Sequence, residues 1–71
     1  DYNIIAEHTK EIAKVRTTIN QMIFTIEATN NYLPKDIGTI VELIKYIFET
    51  ENELRDHLRK ERNLNFEKLI D

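Results

Sequence analysis

The sequence predicts an all-α fold: a long antiparallel helical hairpin, coiled-coil-like, with a short C-terminal helical tail. Two observations predict it. Apolar residues recur every seven positions through the first half of the chain, which places them on one seam of a helix. The only group of helix-breaking residues, at positions 30–34, separates two long segments that have no strong breakers.

The first helix is expected over about residues 3–30. Isoleucine occupies one heptad position at Ile5, Ile12, Ile19 and Ile26. A period of 3.5 residues kept for this long is typical of two helices that pack along a left-handed seam. Asn tolerates the left-handed conformation in which helices often end, so the Asn pair after Thr29 predicts the end of this helix.

A connection of about residues 31–35 leads to a second helix over about 36–62, followed by a tail at 63–71. The start of the second helix has two interpretations. Pro34 can occupy the first helical position with Asp36 in the first turn, or Thr39 can cap the helix with Glu42 after Gly38. We favour the earlier start because Ile37 belongs to the repeat. The predicted seam comprises Ile5, Ile12, Ile19, Ile26, Ile40, Ile44, Ile47 and Leu54.

Apolar residues are too abundant near the bend for one helix to cover. Most of residues 37–48 are apolar or aromatic and occupy more than one helical face, whereas a single partner helix covers a stripe of only about 100°. We therefore expect one contiguous exposed patch, which two hairpins bury by forming a dimeric four-helix bundle. The residues predicted for this partner interface are Phe24, Leu43, Tyr46, Phe48 and Ile23.

Composition bounds the function classes. The chain of 71 residues is one domain, residues 1–71, with a formal net charge of −3, one Gly, and neither Cys nor Ser. A core this small needs a disulfide, a metal or association for stability, and the absence of Cys favours association. We expect a non-enzymatic oligomerisation or protein–protein interaction module of the kind that can also be a fragment of a longer protein. Its partner is a second copy or another helical protein, with no cofactor, metal, small molecule, nucleic acid or membrane.

The compartment is inferred from missing signals. The first residues lack a signal-peptide pattern, and no apolar run approaches the ~18 residues of a membrane span. A cytoplasmic location is therefore expected.

His8 supports an alternative function. It occupies a seam position of the first helix, in the run Glu7-His8-Thr9-Lys10-Glu11. In shape and in this one residue, the chain resembles the dimerising phosphotransfer domains of sensor kinases, whose phosphate-accepting His lies on the first helix of a hairpin. The resemblance implies phosphate transfer at His8. Thr9 replaces the usual acid after the His, and Ile12-Ala13 replaces the usual Pro-Leu.

Two further alternatives rest on charged side chains of the second helix. Arg55, Arg59, Lys60 and Arg62 form a basic face that a small DNA-binding regulator would use, although an acidic net charge argues against this class. His57 lies between Glu53 and Glu61 on one face, across the hairpin from the His8 end. We interpret this group as a solvated ion-pair face rather than a metal site.

Overall fold

The structure is a computed structural model that describes the backbone of residues 2–70 and the side chains of residues 3–69. It consists of two helices, α1 at Tyr2–Thr29 and α2 at Pro34–Ile70, with no strand in the described range. They form a thin antiparallel hairpin whose Cα atoms span 61 × 17 × 12 Å. The all-α hairpin predicted from the heptad repeat is confirmed.

Asn30 ends α1 in a left-handed conformation, with φ of 52°. The amide of Asn31 donates to the carbonyl of Ile26 at 3.3 Å, which is the hydrogen bond of a Schellman motif. Asn is one of the few non-glycine residues that adopts this conformation at low cost, because its short side chain forms local hydrogen bonds. The Asn pair therefore sets the direction in which the chain turns.

Pro34 begins α2 at the first helical position, as the favoured interpretation expects. The carbonyl of Leu33 accepts from the amides of Asp36 at 3.0 Å and Ile37 at 3.1 Å. Proline loses nothing at this position, because the first amides of a helix have no partner within the helix. The alternative start, with Thr39 as the cap, is wrong.

The core is one narrow line of side chains between the two helices. Its six buried apolar residues are each 6–8% exposed, and no side chain of residues 3–69 is below 2%. Thr50 is the buried polar residue of this line, and Met22 and Leu43 pack against its edges. Of the residues predicted for the seam, five are buried, and Ile5 and Leu54 are half-buried. The buried apolar residues are Ile12, Val15, Ile19, Ile26, Ile40 and Ile47.

Two neighbouring residues of α2 exchange the roles predicted for them. Leu43, assigned to the partner interface, packs against the core, whereas Ile44, assigned to the seam, is exposed. The reason is that the core of α2 follows one 3–4 stripe and the heptad through Ile37 and Ile44 lies beside it. The buried or half-buried residues of that stripe are Asp36, Ile40, Leu43, Ile47, Thr50, Leu54, His57 and Glu61.

The predicted separate tail is also wrong, because α2 continues without a break to Ile70. Asn63 and Asn65 are only mildly unfavourable in a helix interior, and no Gly or Pro follows Gly38 to interrupt the hydrogen bonds. At 37 residues against 28, α2 exceeds α1 by about 13 Å. Its last turns expose Leu64, Phe66 and Leu69.

Within the part of the chain that the structure describes, no helix is both long enough and apolar enough to cross a bilayer.

Candidate interaction surface

Two polar contacts between the helices mark the two broad sides of the hairpin. On one side the guanidinium of Arg16 lies 3.3 Å from a carboxylate oxygen of Glu51. On the other side the hydroxyl of Tyr46 donates to Glu11 at 3.4 Å. Since residues of one helix that are separated by three, four or seven positions share a side, these contacts assign the neighbouring residues to each side.

The side marked by Arg16 and Glu51 carries an apolar stripe. On α2, Ile37, Val41, Ile44 and Phe48 follow one another at spacings of four, three and four, and Glu51 comes three positions after Phe48. On α1, Ile23 comes seven positions after Arg16 and therefore lies on the same side. All five apolar residues are exposed, four of them by 39–45% and Phe48 by 62%. We call this surface the apolar face; it comprises Ile23, Ile37, Val41, Ile44 and Phe48.

The single contiguous patch predicted from the sequence is wrong in its composition. Phe48 and Ile23 lie on the apolar face, but Tyr46 is two positions from Phe48 and therefore on the other side, where it contacts Glu11. Phe24 is 74% exposed on the outer surface of α1, beside Thr17, Gln21 and other polar residues. The apolar face also contains Ile37, Val41 and Ile44, which were not among the residues predicted for the interface.

Three arginines continue the line of the apolar face along α2. Arg55 follows Phe48 by seven positions, and Arg59 and Arg62 keep the same spacing of four and three. Together with Leu58 they line a shallow groove. The same side of α2 is therefore apolar near the bend and basic farther along. Because its two ends differ in charge, the two possible orientations of a partner are not equivalent.

The opposite side is polar and holds an acidic groove. Tyr46, His8 and Thr50 line it with carboxylates from both helices. His8 lies opposite Glu53, at 3.4 Å from Nε2 to the carboxylate. The carboxylates are Glu7, Glu11, Glu49 and Glu53.

His8 contacts both helices through its two ring nitrogens. Its Nδ1 donates to the carbonyl of Ile4 at 2.8 Å, which leaves Nε2 directed at Glu53. The Ile4 carbonyl, and after it the carboxylate of Glu53, favour the protonated ring and raise the pKa of His8 above its ordinary value, although partial desolvation opposes them.

This raised pKa predicts a pH-dependent stability. A group whose pKa is higher in the folded state stabilises the fold fully below its unfolded pKa of about 6.5, and this contribution is lost as the pH rises through the folded value. The urea midpoint of the native chain should therefore exceed that of His8→Gln by more at pH 5.5 than at pH 8. An equal difference at both pH values would contradict the assignment.

The acidic groove is a poor environment for phosphate transfer. A phosphoryl group on Nε2 of His8 would replace the contact with Glu53 and meet the carboxylates of Glu7, Glu11 and Glu49. Like charges disfavour that product. Within residues that the structure describes, no group of three or more His, Cys, Asp or Glu side chains has the arrangement of a metal site.

Comparison with protein-family models, curated proteins and solved structures gives no match for this chain.

The sequence contains the pattern of the apolar face, although the heptad repeat does not separate it from the core. Ile37, Val41, Ile44 and Phe48 form a 3–4 stripe of their own, next to the stripe that the core uses. Thr50 was also missed, although it lies three positions after Ile47. Two stripes on one helix cannot be ranked by periodicity alone, because both have the spacing of a buried face.

Proposed function

We propose that the chain is a non-enzymatic oligomerisation module, in which two hairpins pack through their apolar faces into a four-helix bundle. The observation that carries the proposal is the apolar face itself: five large side chains, 39–62% exposed, on one side of a hairpin in which no described side chain is less than 2% exposed. Contiguous exposed apolar surface of this kind marks interaction sites, because monomers rarely leave it in water.

The contrast between the two sides supports self-association. The side with the acidic groove carries carboxylates and hydroxyls, which remain solvated at no cost. The apolar face loses its contact with water only if a second surface covers it. A hairpin that is polar on one broad side and carries an apolar stripe near the bend on the other side has a pattern that fits half of a four-helix bundle.

The dimensions also fit. The paired part of the hairpin is about 42 Å long, from the 28 residues of α1, and 17 Å wide. One broad side is therefore large enough to accommodate the corresponding side of a second hairpin near the bend. A second copy presents the same area with the same apolar stripe, so it covers the face without any other component.

The proposal is tested by placing the same charge on two sides of the hairpin. Phe48→Lys puts an ammonium on the apolar face and should yield folded monomers or much weaker dimers. Phe24→Lys is the matched control on the outer surface of α1, since both new lysines would have a Glu three positions later. Sedimentation velocity reports the mass of each. A Phe48→Lys dimer as tight as that of the native chain would overturn the proposal.

A further inference from the structure

We infer that the occupant of the apolar face is a second copy of this chain in the antiparallel orientation, with α2 against α2 and a two-fold axis between Val41 and Ile44. This inference rests on the proposed function and adds the orientation and register of the partner. In this register Ile37 faces Phe48 of the second copy, and Val41 faces its Ile44. The two-fold axis is perpendicular to the helices, and it makes both copies contribute the same surface to the interface.

Charge disfavours the parallel orientation. In a parallel two-fold pair, each residue on the contact line lies beside its own copy. The three arginines that continue the apolar stripe, Arg55, Arg59 and Arg62, would then face three identical guanidinium groups along the same line. Like charges placed against each other across an interface disfavour the complex, and arginine remains charged at every accessible pH.

The antiparallel orientation gives Arg55 favourable surroundings and leaves Arg59 and Arg62 beyond the bend of the second copy. Arg55 of one copy reaches the bend of the other, where α1 ends at Thr29. Helix C-termini carry partial negative charge, and α1 has no basic residue in its own last turn. Exposed Glu27 adds a carboxylate at this end. A cation supplied by the second copy therefore compensates a helix end that the chain leaves uncompensated.

Cysteine cross-linking tests orientation and register together, since the native chain has no Cys to interfere. The variants are Ile37→Cys and Phe48→Cys, oxidised separately and as an equimolar mixture. In the inferred register, identical positions are about 16 Å apart along the axis, beyond the ~7 Å limit of a disulfide, whereas Cys at 37 faces Cys at 48. We expect linked dimers only in the mixture, up to about half of the chains under random pairing.

The outcomes separate this inference from the proposed function. Linkage of each variant with itself would show a parallel pair and overturn the inference. If the variants sediment as dimers but none links above the level of Phe24→Cys, the chain self-associates by another arrangement, and only the inference fails. If the native chain and both variants are folded monomers, the proposed function fails as well.

Discussion

Ile19→Asp is expected to abolish folding of the hairpin at 25 °C. Ile19 lies in the middle of the core line and is 8% exposed, so the new carboxylate would be enclosed by apolar side chains from both helices. The change removes about 1.5–3 kcal/mol of apolar burial and adds the cost of desolvating a charge that has no partner. A core of this size supplies no more than about 3–5 kcal/mol, so the sum exceeds the available stability.

The measurement is helical circular dichroism at 222 nm followed through urea unfolding. Ile19→Asp should show little helix and no cooperative transition. Thr17→Asp, two positions away on the exposed surface, introduces the same residue and should stay close to the native midpoint. A cooperative transition for Ile19→Asp near that of the native chain would mean that the helices do not pack along this line.

Phe48→Lys is expected to weaken self-association by at least about 100-fold. Burying one phenylalanine contributes about 1.5–3 kcal/mol, and the two-fold axis makes each substitution count twice, for a total of about 3–6 kcal/mol. Helix content should persist at high protein concentration, because Phe48 is 62% exposed and lies outside the core of its own hairpin.

Phe24→Lys should leave the dissociation constant within a factor of about three, since exposed side chains outside an interface contribute little to it. The comparison is informative because Phe24 is the more exposed of the two rings, at 74% against 62%. If exposure alone drove association, Phe24→Lys would have the larger effect. Equal weakening by both variants would contradict the assignment of the apolar face.

The hairpin itself was predictable because its signals are local. A heptad of isoleucine defines the inner side of α1, and the Asn pair and Pro34 have conformational preferences that hold in any context. In the structure Asn30 has the left-handed conformation, and Pro34 lies in the first turn of α2. The end predicted near residue 62 is wrong because the polar residues that follow it, such as Asn63, are only mildly unfavourable in a helix and do not stop α2.

The assignment of faces on α2 was less predictable because it depends on the other helix. Leu43 and Ile44 are adjacent and equally apolar, and only the register against α1 decides which of them is covered. The position of the bend sets that register, because moving the bend along the chain changes which residues of α2 face α1. A sequence with one apolar stripe would have left no choice, whereas this one has two.

Sedimentation equilibrium of the unmodified chain tests the central claim most directly. Burial of the apolar face in a second hairpin requires a reversible dimer of twice the 8.5 kDa chain mass, with dissociation on dilution. A helical species that stays at 8.5 kDa up to millimolar concentration would contradict the account, because such a chain would be stable with its second apolar stripe in water.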